Sequence, residues 1–149
     1  MYMSSDKYSS AVERPIGWWV KELDRLLERG LDTALAATGA TRREWQVLNV
    51  LTEERPTAVT DVANALAPFL SEGADGVDEA RALLVTLAQR GWVELGADTA
   101  TLARAGAAAR ERMAERVGEQ RARVVDGVTE QDYRTTVATL RRMVTNLGG

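Results

Sequence analysis

The chain has 149 residues, 45% hydrophobic and 28% charged, with a formal net charge of −3; that suffices for one folding unit with a real core, and no apolar run approaches the length of a membrane span. It contains neither cysteine nor histidine, which excludes a disulfide framework, a thiol redox sensor, a conventional zinc site and the Ser/His or Cys/His nucleophile arrangements, so no cofactor is expected. Met1–Ser10 is polar and lacks the apolar region of a signal peptide; cytoplasmic residence is the expectation, and the slightly acidic total argues against indiscriminate nucleic-acid binding.

Met1–Ala11 reads as a mobile arm. Pro15 suits the first turn of a helix running to about Ala37. Its apolar residues, among them Ile16, Trp19, Val20, Leu23, Leu27, Leu31 and Leu35, form a stripe wider than one core-facing side needs, which predicts contact with two surfaces. Gly39 ends it. Thr41 and Glu44 have capping-box spacing and open a second helix through about Glu53, with Trp45, Val47, Leu48 and Leu51 as core candidates. Pro56 breaks the chain, and Thr57 is expected to cap a short helix carrying Val59, Val62, Ala63 and Leu66, stopped by Pro68. Pro68–Gly76 is long, acidic and glycine-containing, so it reads as a mobile connection.

From Val77 to Gln89, residues Val77, Ala80, Leu84, Leu87 and Ala88 recur at steps of three and four and share one helical face. Arg90-Gly91 supplies a cation and a left-handed cap at the helix end. Trp92–Leu95 has strand propensity, Gly96–Thr99 is turn chemistry, and Ala100–Ala103 can return as the partner strand. A helix rich in Ala, Arg and Glu runs from Leu102 or Ala103 to about Val125. Thr129 then caps a last helix, Glu130 to about Asn146, whose apolar side holds Tyr133, Val137, Leu140, Met143, Val144 and Leu147. These two helices and the first carry more apolar surface than so small a head can cover, and a homodimer of interlocked terminal helices is the simple remedy.

Helix, small hairpin, helix is the order of a winged helix-turn-helix. Leu87, Arg90, Gly91, Trp92, Val93, Leu102 and Gly106, with Thr41–Leu48 upstream, resemble the MarR family of winged-helix regulators in type and spacing. The likeness runs from about Pro15 to Leu147. It implies a mainly α fold with a small β-hairpin wing: one MarR-like domain over 1–149, with a winged helix-turn-helix head at 41–103 and a helical dimerisation region formed by 12–38 and 104–149. It also implies a homodimer that binds double-stranded DNA, and a pocket for small aromatic compounds under the dimer stem.

Two departures from the family stand out. The connection after Pro68 is longer than the usual turn between the two helices. The wing, which in the family ends in Asp-x-Arg, holds Asp98 and no basic residue between Gly96 and Ala103. Across 41–103 five arginines face ten carboxylates, a balance of −5, whereas 104–126 carries six arginines against four acids. Phosphate neutralisation normally needs clustered Lys and Arg. With the apolar face of the Val77–Gln89 helix inward, Asp78, Glu79, Ala82, Thr86 and Gln89 point outward, and Arg81 and Val85 lie at the edge. The two acids stabilise any helix start but repel phosphate. Arg81 is the strong base-reading donor here; a salt bridge to Asp78 or plain solvent exposure is its bland alternative. The expected DNA contacts are Thr57, Thr60, Arg81, Thr86, Gln89 and Arg104, with Arg42 and Arg43.

Trp18, Trp19, Trp45 and Phe69 are the candidates for a ligand pocket, since Trp offers a flat wall and one N–H donor. Core packing is the simpler role for Trp45 and Trp92. Trp18 and Trp19 are about 100° apart on a helix, so one of them is expected to face a pocket or the dimer partner. Arg112 and Arg116 could neutralise a ligand carboxylate or serve surface ion pairs. Two functions remain open: a DNA-binding regulator of modest affinity and steep salt dependence, or a degenerate winged-helix protein acting as ligand sensor or protein-interaction module without operator binding. No carboxylates are spaced as a catalytic pair, so an enzyme is not expected.

Overall fold

The computed structural model describes residues 13–70 and 75–149. The expected mobile arm and residues 71–74 of the acidic connection lie outside them. Helix α1 (Ile16–Ala36) begins directly after Pro15, whose carbonyl accepts from the amides of Trp18 and Trp19 at 3.0 and 3.4 Å. It ends where Gly39 takes φ +79°, a left-handed conformation that turns the chain back so that the Ala40 amide reaches the Leu35 carbonyl at 3.2 Å. Helix α2 (Arg42–Val50) opens on the predicted capping box: the Glu44 amide donates to Thr41 Oγ1 at 3.2 Å, and the Thr41 amide to Glu44 Oε1 at 2.9 Å. The sequence predicts this helix to about Glu53, but it stops at Val50. Leu51 swings to extended backbone, and Arg110 Nη1 donates to the carbonyls of Leu48 and Leu51, both at 3.0 Å. A cation from a distant helix thus satisfies the orphan carbonyls that another turn would have used.

Thr57 is not a helix cap. Thr57–Ala58 forms strand β1, with Thr57 opposite Ala100 and Ala58 opposite Thr99. Helix α3 (Val59–Leu66) leaves that strand without a side-chain cap; instead the Val59 amide donates to the Asp98 carbonyl at 2.9 Å. The wing therefore supplies the partner that a Thr cap would have supplied. Pro68 does its predicted work: the helix yields to a 3₁₀ turn, Ala67–Phe69.

Helix α4 (Gly76–Gln89) is capped by Asp75, whose Oδ1 accepts from the amides of Val77 and Asp78 at 3.0 and 3.2 Å. Gly91 at φ +78° ends it. Strands β2 (Val93–Leu95) and β3 (Thr99–Leu102) pair antiparallel, Val93 opposite Leu102 and Leu95 opposite Ala100. The hairpin thus begins one residue after Trp92 and returns one residue before Ala100. With β1 it makes a three-stranded sheet of order β1-β3-β2 where a plain hairpin was expected. Helix α5 (Arg104–Val124) follows, and α6 (Glu130–Asn146) opens on the predicted Thr129 cap, which accepts from the Asp132 amide at 3.0 Å.

The buried core joins Leu35 of α1, Val47 and Leu48 of α2, Val62 and Leu66 of α3, Leu84 and Leu87 of α4, and Ala109, Met113 and Val117 of α5. Each fully buried large aliphatic side chain there is worth about 1.5–3 kcal/mol relative to exposure. Within α1 the stripe divides: Leu35 is buried and Leu31 packs against the core, while Ile16, Trp19, Val20, Leu23, Leu26 and Leu27 remain exposed. Helix α6 buries none of its residues. No helix of the described residues is long and apolar enough to cross a membrane.

Candidate nucleic-acid interface

The outward face of α4 is as its periodicity requires: Asp78, Glu79, Ala82, Thr86 and Gln89 are exposed, and Ala80, Leu84 and Leu87 are buried. Arg81 is the one arginine on this helix, and its Nη2 donates to Asp98 Oδ1 at 3.0 Å. The partner lies in the wing turn; Asp78, the acid that spacing suggested, is passed over. Thr86 Oγ1 donates to the Ala82 carbonyl at 3.1 Å, within its own helix, which leaves the exposed hydroxyl oxygen as an acceptor.

The sheet gathers the other elements around this pair. Because β1 pairs with β3 and the Val59 amide holds the Asp98 carbonyl, the start of α3, the wing turn and the second turn of α4 meet at one place. Thr57 is half-buried in β1 and Thr60 is exposed on the first turn of α3. Between α4 and the wing lies a groove of about 110 Å³, lined by Val59, Leu84, Val85, Leu95, Ala97 and Thr99. Its rims, Val85 and Leu95, are 46% and 47% exposed. Arg104 is exposed at the first position of α5, directly after the wing.

Arg42 and Arg43 are engaged elsewhere. Arg42 pairs with Asp32 at 2.8 Å and Glu28 at 3.5 Å, both on α1. Arg43 donates to Gln46 Oε1 at 3.1 Å and to the Phe69 carbonyl. Each stitches the start of α2 to a neighbour. Two arginines that sequence reasoning left unused as tethers, Arg90 and Arg110, hold the frame; their partners are remote in the chain, so no local spacing reveals them.

The four aromatic candidates fall in three separate places. Trp18 and Trp19 meet edge to face, with ring centroids 4.8 Å apart, and both are exposed on α1. The Arg14 guanidinium sits 5.1 Å over the Trp18 ring, and Trp19 Nε1 donates to the Arg14 carbonyl at 3.2 Å. Trp45 and Trp92 pack against the core, and Phe69 is half exposed at the end of the 3₁₀ turn. A cleft of about 530 Å³ opens between α1 and α5, lined in part by Leu23, Leu26, Leu27, Thr33, Gln120 and Arg123. Arg116 makes a surface pair with Glu119 at 4.0 Å, and Arg112 is exposed.

No protein-family model and no curated protein sequence matches the chain. Solved structures do. The MarR family protein Rv2887 of Mycobacterium tuberculosis is 23% identical with a TM-score of 0.64, over 93% of this chain and 98% of that one. The same protein in complex with DNA gives 23% and 0.65, over 92% and 100%. CouR from Rhodococcus jostii RHA1, bound to p-coumaroyl-CoA, gives 20% and 0.64, over 87% and 91%. The agreement spans nearly all of each chain, so it includes the terminal helices as well as the wing: this protein has the winged helix-turn-helix fold of the MarR family of regulators.

Proposed function

We propose that the chain is a homodimeric transcriptional regulator of MarR type that binds double-stranded DNA in the cytoplasm, with few basic contacts, and responds to a small aromatic ligand. The observation that carries this is the exposed outer face of α4 beside the wing, with α3 packed behind it: a helix free to enter a major groove on a rigid support. Arg81, Thr86 and Gln89 would meet base edges, Thr57 and Thr60 the backbone, and Arg104 a phosphate. Dimerisation is supported by the uncovered apolar residues of α1 and by a sixth helix that buries nothing in one copy. A second copy would cover both, and would set two heads at a spacing that must match successive major grooves.

Support for the ligand comes from the α1–α5 cleft and from the exposed Trp18–Trp19 pair, also on α1. A ligand there would act by favouring one head spacing over another. No enzymatic role is part of this reading. Gel-shift titration against the DNA upstream of its own gene, at low and moderate salt, tests it: selective, salt-sensitive binding is expected, and absence of binding at low salt overturns it. Tryptophan fluorescence with small phenols and carboxylates tests the pocket; a flat response across the set removes it.

One observation favours a second reading. The single arginine of α4 is already paired with Asp98, as in a head that has given up operator binding and serves as an interaction module. A partner protein bound stoichiometrically by a chain inert to DNA would select that reading.

A further inference from the structure

We propose that Asp98 is an affinity-limiting latch: its carboxylate competes with DNA for Arg81, so that every contact this arginine makes with a duplex must first break the pair. The inference rests on the DNA-binding reading of α4 and adds how the site is restrained.

Three observations lead there. The Arg81 Nη2–Asp98 Oδ1 contact is 3.0 Å, a charge-assisted hydrogen bond between a reading-face arginine and the wing. Both groups are accessible: the side chains are 48% and 81% exposed, so the pair is not locked by burial and DNA can reach it. The position of Asp98 is nevertheless fixed, because its backbone carbonyl holds the first amide of α3 at 2.9 Å, and the turn is closed by the Gly96 amide on the Thr99 carbonyl at 2.8 Å. The Asp98 backbone therefore stands at one place and keeps its carboxylate within reach of the arginine on its long stem.

The chemistry of the choice follows. A single phosphate offers Arg81 one anionic partner in exchange for another, and leaves the Asp98 carboxylate facing the DNA backbone. A guanine edge offers two acceptors in the geometry of the guanidinium fork, as a phosphate can, and drawing Arg81 to it likewise leaves the Asp98 carboxylate unpaired. The latch therefore lowers the affinity of every duplex that engages Arg81 by the free energy of the broken pair, and leaves the preference among such duplexes unchanged. A wing without a basic residue fits this arrangement: on this head the wing contributes restraint rather than attraction. Asp78 and Glu79, exposed on the first turn of α4, and Glu94, exposed on β2, add further negative charge to the same head.

The test uses the full chain and fluorescence-anisotropy titrations with a labelled duplex from upstream of its own gene and an unrelated duplex, for the wild type, D98N, R81A and the double variant. Asn keeps the backbone bond to Val59 and the size of the side chain, so the fold is retained, and circular dichroism verifies it. D98N is expected to bind the upstream duplex about two- to fivefold more tightly, and to gain no more than that on the unrelated one. The gain must shrink markedly in the R81A background, where only the repulsion between the carboxylate and the phosphates is left to remove. Equal affinity of D98N and wild type, or the same gain with and without Arg81, overturns the latch while leaving the DNA reading intact. Binding by D98N alone supports the latch and refutes unaided DNA binding by the wild type. If none of the four binds either duplex at low salt, both readings fall.

Discussion

Arg90 Nη2 lies 3.5 Å from Glu44 Oε2, and Glu44 is the one buried charged residue among those described, at 3% exposure. The same guanidinium donates to the Gly39 carbonyl at 2.8 Å and covers the Trp92 ring at 4.9 Å. One arginine at the end of α4 thus fastens the turn after α1, the cap of α2 and the root of the wing. The carboxylate it neutralises is the one that closes the Thr41 capping box.

Replacing Glu44 by Ala removes the acceptor of the Thr41 amide and the anchor of Arg90 together. The expected cost is about 1–3 kcal/mol, read as a lower urea midpoint at unchanged slope. Arg90→Lys should also destabilise, because a point charge cannot reach Glu44 and Gly39 while stacking on Trp92. A midpoint indifferent to both substitutions would remove this joint from the account.

Two glycines of α5 make an internal control. A Cβ on Gly106 would stand 2.0 Å from the Trp92 carbonyl oxygen and 2.9 Å from Leu102 Cδ1, so the wing root and the helix can approach only without a side chain. At Gly118 nothing lies within 4 Å. Gly106→Ala should therefore cost about 1–3 kcal/mol by overpacking, whereas Gly118→Ala should gain about 0.5–1 kcal/mol from helix propensity. Thermal melts of the two variants must move in opposite directions.

What the sequence made legible is what short spacing encodes. The Thr41–Glu44 box, the left-handed Gly39 and Gly91, the Thr129 cap and the buried face of α4 all lie within a few residues of their partners. What it concealed depends on pairing across the chain. Strand β1 is only two residues long and exists because Ala100 and Thr99 return beside it; taken alone, Thr57 before Val59 has the form of a cap. The early end of α2 is set by Arg110. Asp98 was visible as the acid in a wing lacking cations, but its hold on Arg81 needs the hairpin folded against α4. Asp75 was local and still overlooked, because its place in an acidic glycine-containing stretch resembles loop composition more than a cap.

Arg104 stands at the first turn of α5, just beyond the wing. If it meets a phosphate, Arg104→Ala should weaken binding to every duplex by a similar factor and reduce the slope of log affinity against log salt by about 0.9. Arg81→Ala should instead alter which sequences are preferred. An unchanged salt slope in R104A would exclude Arg104 from the phosphate contacts.

The terminal helices give the most direct test of assembly. Val137 and Val144 on α6, with Leu23 and Leu27 on α1, are uncovered in one copy. So many large apolar side chains left in water are unusual for a folded chain, and a second copy related by a two-fold axis would cover both helices at once. A carboxylate introduced at Val137 or Leu23 would then be buried without a partner, at a cost no surface position incurs. Val137→Asp and Leu23→Asp should shift sedimentation from dimer to monomer at micromolar concentration, while Thr135→Asp, on the polar side of α6, should not. Trp18 and Trp19 report the same event optically, since both are exposed in the single chain. Their emission should lie to the blue in the wild type and move red in the monomeric variants. A wild type that sediments as a monomer at all concentrations would leave these faces uncovered and end the case for paired heads.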